Sequence, residues 1–183
     1  IENSGDQLPH SVDARQMSLF AAGWTLGSLA ALASSGVFAI TYYETTGWQG
    51  IIQGDAEPPD PARFKAHRGD IFPVYHLFRF IKSFPLQSFN PCRYSHSLKY
   101  SAINLESTHK SVLVLANHTS ENIELHIEKE TPLSIRQLTG DNMPLATGNH
   151  RYIDEMPRSP VTGSGVRLMP FALAFVELKK HAD

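Results

Sequence analysis

The run Val37-Phe38-Ala39-Ile40-Thr41-Tyr42-Tyr43, followed at once by Glu44-Thr45-Thr46-Gly47-Trp48, limits what this chain can build more than any other stretch. A short, unbroken series of apolar, β-branched and aromatic residues reads as a buried strand. The carboxylate, two hydroxyls, glycine and tryptophan after it read as the loop leaving the C-terminal end of that strand. In α/β folds, and above all in eight-fold barrels, loops at that end carry the chemistry. Such a strand needs helices packed on it, and the sequence supplies one on each side.

Upstream, Asp13 is placed to cap a helix from Ala14 to about Ser34, stopped by Gly36. Met17, Leu19, Phe20, Trp24, Leu26, Leu29 and Leu32 leave it almost no polar face, so it is expected to lie buried between other elements. The uncharged segment 19–40 is diluted by glycines and hydroxyls and broken at Ser34-Ser35-Gly36, which argues against a membrane span. Residues 1–12 read as a polar loop, and Asp6 and His10 argue against a signal peptide. Downstream, residues 44–72 form a long loop with Pro58, Pro59 and Pro61, of a length that usually marks a functional lid or disorder. Pro73 then opens a second helix, Val74 to Phe84, and Pro85 closes it. Helix, strand, loop and helix amount to a small part of a β/α barrel.

Beyond Pro85 the period changes to two. Ser101–Leu105, Ser111–Ala116, Asn122–Glu128 and Leu133–Leu138 read as strands, and Asn117–Glu121 as a hairpin loop between two of them. A polar excursion over 140–165 precedes a final strand pair, or one bent strand, from Val166 to Leu178, broken near Pro170. Strands at this spacing predict a small antiparallel β-sandwich. The fold class is therefore α/β plus all-β, with a TIM-type barrel portion at 1–85 and an accessory sandwich at 86–183. The boundary falls near Pro85 to Pro91.

Glu44 is the leading catalytic candidate. A strand-end carboxylate beside Tyr42, Tyr43 and Trp48 suits a base or an orienting group for a polyhydroxylated substrate, whose apolar C–H faces stack on aromatic rings. The competing reading is a structural carboxylate that caps the Thr45 and Thr46 amides or pairs with an arginine. A glycosidase needs a second carboxylate at a defined separation, and none stands out. His76, in the first turn of the second helix, is a candidate for the mouth of the same site, or else a packed histidine. Asp13 and Arg15 reach the same region, with capping and surface roles as the simpler reading.

Other chemistries find little support. A net charge of −2 without a basic run argues against nucleic acid. One cysteine, Cys92, leaves no intramolecular disulfide and no multi-cysteine zinc motif. His109, His118 and His126 lack metal-ligand spacing, and there is no nucleophile elbow or phosphate-binding loop, so no metal and no cofactor is expected. Asn117-His118-Thr119 matches a glycosylation sequon, a tripeptide common by chance.

Over Asp13–Leu29, Thr41–Trp48 and Phe72–His76 the sequence resembles the D-apionate lactonase family, closely across 13–80 and only in its β pattern across 86–183. The resemblance implies the C-terminal part of a longer, bacterial, cytoplasmic protein: the last helix-strand-helix of a glycoside-hydrolase-like barrel, followed by its accessory sandwich. It further implies hydrolysis of a sugar-acid lactone such as D-apionolactone, and a partner in the remainder of the barrel. Two rivals stand beside this reading. One is a glycoside hydrolase of the same architecture acting on a saccharide, and the other a non-catalytic carbohydrate-binding or scaffold module formed by the sandwich alone.

Overall fold

The computed structural model of the chain describes residues 8–92 and 98–180. The first seven residues of the expected N-terminal loop lie outside them.

Helix α1 spans Leu19–Ala33 and helix α2 spans Pro73–Ser83. The second begins where Pro73 predicts, because a proline at the first helical position gives up an amide that has no intrahelical partner anyway. The first begins five residues later than its sequence suggests. Asp13 does not cap it: the Asp13 carboxylate accepts from the Arg15 amide at 2.8 Å and closes a separate turn, and Ser18 is the N-cap residue. Nor is α1 buried all round, since Trp24 is 55% exposed.

The β part is built from β1 (Ser88–Pro91), β2 (Tyr100–Glu106), β3 (Ser111–Asn117), β4 (Ile123–His126), β5 (Pro132–Leu138), β6 (Ser159–Pro160), β7 (Gly165–Leu168) and β8 (Leu173–Leu178). Six of these form one antiparallel sheet in the order β1-β2-β3-β8-β5-β6, and β4 pairs with β7 in a separate ribbon. The prolines of β1 and β6 sit on the two edge strands, where a missing amide costs no ladder bond.

Two connections differ from expectation. Residues 117–121 are not a hairpin but a crossover from the large sheet to the ribbon. Asn117 holds it, with Nδ2 donating to the Glu121 carbonyl at 2.7 Å and the Met169 carbonyl at 2.8 Å. With its side chain so engaged and 1% exposed, the sequon asparagine is closed to modification in the folded chain. The final pair β7 and β8 likewise divides between the sheets, turning at Phe171 (φ 52°). The excursion between β5 and β7 folds into two short helices, α3 (Met143–Thr147) and α4 (Tyr152–Glu155).

Strand periodicity explains the core. On β3, Val112, Val114 and Ala116 face one way and Leu113 and Leu115 the other; on β8, Leu173 and Phe175 oppose Ala174 and Val176. The second face packs on the ribbon through Val166 and Leu168. The first face packs on the helices through Leu26, Leu77 and Phe80, with the Phe80 and Phe175 rings 4.3 Å apart. Close approach of α1 is possible because Gly27 has no side chain: a Cβ there would lie 2.6 Å from the Ser101 hydroxyl, which is hydrogen-bonded to His118 Nε2 at 2.7 Å.

The segment expected as a strand, 37–43, bends at Phe38 and belongs to no ladder among the described residues. Its pattern encodes a need for neighbours, and a strand exists only through the strands that bond to it. Phe38 is 103% exposed as a result.

Truncating Phe175 to Ala is expected to cost about 3–5 kcal/mol, as for other buried aromatics. Both tryptophans, Trp24 and Trp48, lie before residue 86. Their fluorescence and the far-ultraviolet signal of the sheet should therefore shift together in urea unfolding of this variant. A shift in the β signal alone would mean that the two parts do not share a core.

Candidate active site

The 37–43 segment hangs on α1 by its tyrosine hydroxyls. Thr25 Oγ1 donates to the Ala21 carbonyl at 2.7 Å, so the Tyr43 hydroxyl must donate in the 2.8 Å contact with Thr25. The Tyr42 hydroxyl donates to Ser28 Oγ at 3.0 Å. Burial pushes the Tyr43 phenol up from its ordinary value. Both rings pack near Phe78 of α2, at centroid distances of 6.0 and 6.3 Å, so the two neighbours do not alternate as in a regular strand.

Residues 44–72 form a tightly tied loop rather than an open lid. The Glu44 amide donates to the Gln49 carbonyl at 3.1 Å and the Gly47 amide to the Ile52 carbonyl at 2.9 Å. Buried Gln16 donates to the Gly50 carbonyl at 2.8 Å. Phe64 is fully buried between Trp48 and Phe72, with ring centroids 6.3 and 5.9 Å away. Backbone bonds from Phe72 to Ile51 and from Gln53 to Asp70 close the loop on itself. The length that suggests a lid is taken up by a small core of its own.

These elements enclose a cleft of about 620 Å³ whose lining includes Glu44, Tyr42, Tyr43 and Trp48. Asp13, Arg15, Gln16, Phe20, Trp24 and Gln49 also line it. The second carboxylate on the cleft is Asp13, which the sequence places in this region with a capping or surface role as the simpler reading. Arg15 grips it bidentately, Nε donating to Oδ1 at 3.0 Å and Nη2 to Oδ2 at 2.7 Å. That hydrogen bonding holds the Asp13 carboxyl below the usual carboxylate range. The Arg15 guanidinium also lies 5.1 Å from the Phe20 ring centroid. Phe20 and Trp24 are four residues apart on α1, a spacing that puts both on one helical face and would have marked them as a pair.

His76 does not line the cleft. It is fully buried in α2, its Nε2 3.1 Å from the Ala146 carbonyl, with the Tyr75 and Tyr152 rings against it. Burial holds it below its ordinary pKa, and its Nδ1 has no hydrogen-bond partner among the described residues. The Cys92 thiol is pushed up to about 11 by burial, so it stays protonated at neutral pH. Among the described residues, no group of three or more His, Cys, Asp or Glu side chains is arranged to hold a metal ion. No described helix is long and apolar enough to cross a membrane.

The architecture is a segment of a TIM barrel joined to an immunoglobulin-like β domain. Residues 1–85 match the family model of the D-apionate lactonase TIM barrel domain, and residues 98–176 that of the D-apionate lactonase C-terminal immunoglobulin-like domain. The chain belongs to the D-apionate lactonase family. No curated protein matches it. Among solved structures it is similar to trehalulose synthase MutB from Pseudomonas mesoacidophila MX-45 (14% identity, 57% of this chain and 17% of that one, TM-score 0.40). It is also similar to isomaltulose synthase PalI from Klebsiella sp. LX3 (8% identity, 57% and 16%, TM-score 0.39). The chain thus spans about one sixth of the length of these structures.

A Cβ on Gly50 would lie 2.6–2.8 Å from the Thr46 backbone, so Gly50→Ala must displace the 44–50 turn. A loss of about 1–3 kcal/mol is expected, together with faster proteolysis within residues 44–72. Unchanged melting and cleavage would show that the turn is not what holds the loop. A pH dependence is expected from His76, whose native pKa is lowered. The unfolded chain therefore binds its proton first, and stability falls as pH drops through about 6.5 toward the native value. His76→Gln, which keeps a donor for Ala146, should flatten the Tm profile between about pH 7 and pH 5. His118, lowered in the same direction by burial, should leave a residual slope.

Proposed function

We propose that this chain is part of a carbohydrate-active hydrolase that opens a sugar-acid lactone, D-apionolactone being the substrate implied by its family. Residues 1–85 supply barrel elements, residues 86–183 the accessory domain, and the remainder of the barrel is their partner. A cytoplasmic location and an absence of nucleic-acid or membrane partners belong to the same reading.

The observation that carries it is the convergence, in one cleft, of Glu44, the Asp13–Arg15 pair and the aromatic side chains Trp24 and Trp48. Glu44 is the proposed base or substrate-orienting carboxylate: it takes a proton from the water that attacks the ring-ester carbonyl. A donor is also required for the oxyanion that develops as the tetrahedral intermediate forms, and Arg15, fixed by Asp13, is the cation on the cleft wall. Trp48, with Tyr42 and Tyr43, forms the proposed sugar-facing surface. The hydroxyls of both tyrosines are committed to α1, so the rings rather than the phenols are offered. His76, buried away from the cleft, is proposed to act only by supporting α2.

The presence of a second carboxylate favours a glycosidase reading enough to weigh it. Glycoside hydrolysis needs a general acid that keeps its proton at working pH. Asp13 is held ionised by Arg15, which suits an orienting or electrostatic role and not proton donation. Lactone opening, which needs a base and an oxyanion donor, is the better match.

In the full-length enzyme, Glu44→Gln should lower kcat on an aldonolactone by about 10²–10⁴, and Trp48→Ala should raise KM more than it lowers kcat. Full turnover by the Glu44 variant would sink the assignment. Activity on aryl glycosides but not on lactones would move the glycosidase reading to the front.

A further inference from the structure

A second cleft, which shares no lining residue with the first, lies where the C-terminal end of α2 meets the sheet. It is small, about 70 Å³, several times the roughly 10–15 Å³ that one water requires. Three cations, Lys110, Arg136 and Arg158, line it against one carboxylate, Glu177. In a chain of net charge −2 this is a local concentration of positive charge.

Arg136 is presented rather than neutralised. Its guanidinium carbon lies 5.2 Å from the Phe80 ring centroid and 5.8 Å from that of Phe175, so the group rests against one side of this ring pair, whose centroids are 4.3 Å apart. Nη1 donates to the Ile153 carbonyl at 2.7 Å, its one side-chain hydrogen bond among the described residues. Burial, and then the like charge of Arg158, lower its pKa. Asp154 and Glu177 act in the other direction, but each is engaged elsewhere: Asp154 by Arg79 at 2.5 Å, and Glu177 by Arg158 at 3.1 Å and by the Ser134 hydroxyl at 3.5 Å. The Lys110 ammonium has no ion pair among the described residues. A planar guanidinium held by stacking and an ammonium without an ion pair around a space of this size are donors of the kind that an oxyanion or carboxylate uses.

We infer that this cleft binds a small anion, a tetrahedral oxyanion or the carboxylate of a sugar acid, at the junction of the barrel helices and the β domain. Arg136 and Lys110 donate to it, and Glu177 sets its affinity by competing for Arg158. An anion seated there touches β3, β5, β8 and α2 together and so ties the two parts of the chain.

The test is calorimetric titration of the full-length protein at constant ionic strength, with inorganic phosphate in one arm and D-gluconate in the other. The readout is binding. Because an open-chain sugar acid resembles the product of the proposed lactonase, only binding that Lys110→Gln/Arg158→Gln weakens and Glu44→Gln leaves unchanged is assigned to this cleft. One saturable site is expected for at least one probe. Phosphate alone would identify an inorganic oxyanion as the source, and tighter binding of gluconate an open-chain sugar acid. The double variant Lys110→Gln/Arg158→Gln should weaken binding by about tenfold or more, and Glu177→Gln should tighten it several-fold. A misfolded variant cannot produce a gain in affinity, so the two changes in opposite directions separate a site from a folding defect. No saturation by either probe below about 10 mM, or equal affinity in the wild type and the double variant, would overturn the inference.

Discussion

The contact between the two helices and the inner face of the six-stranded sheet is what the remainder of the molecule depends on. Leu26, Leu77 and Phe80 leave water against Ile103, Val114 and Phe175, each burial contributing on the order of 1.5–3 kcal/mol. Phe64 of the 44–72 loop and Ile153 and Met156 of the excursion after β5 extend the same core. The position of the helices decides everything attached to them: Tyr42 and Tyr43 hang on α1 through Ser28 and Thr25, and the 44–72 loop closes through Phe72 at the start of α2. The cleft around Glu44 is thus held to the β domain through α1, although no strand of that domain forms its wall.

Polar groups at the seam are placed with the same economy. Gly27 admits α1 to within reach of Ser101 and His118, whose mutual hydrogen bond satisfies both where water is largely excluded. The excursion after β5 reaches back to α2 with a backbone bond from Ile71 to Thr147, the His76–Ala146 bond and the Arg79–Asp154 pair. A stretch that reads as a polar excursion is a clasp across the two parts.

The chemistry divides along the same geometry. In the first cleft, Arg15 is oriented by Asp13 through Nε and Nη2, and Glu44 is the carboxylate without an ion pair among the described residues. In the second, Arg136 is stacked rather than paired, which leaves cationic donors in excess. Both arrangements rest on an arginine fixed in orientation, by a bidentate carboxylate in the first case and by two phenylalanines in the second.

Local chemistry was legible in the sequence wherever it is local in fact. Proline at the first turn marked α2, period-two alternation marked β2, β3, β5 and β8, and the composition of Val37–Trp48 marked the cleft that holds Glu44. Non-local pairing was not legible. A run such as 117–121 carries the residues of a turn whether it joins partners or crosses between sheets, and only Asn117's bonds to Glu121 and Met169 decide which. The same holds for Asp13, a good helix cap by residue type, whose carboxylate is taken by Arg15 two residues on. It holds for His76, whose place in a first helical turn says nothing of the Ala146 carbonyl seventy residues away. Sequence determined which segments carry apolar faces and which carry carboxylates and rings. Tertiary structure decided what those faces meet, because a hydrogen bond or a packed contact is a property of two positions and the chain order names them one at a time.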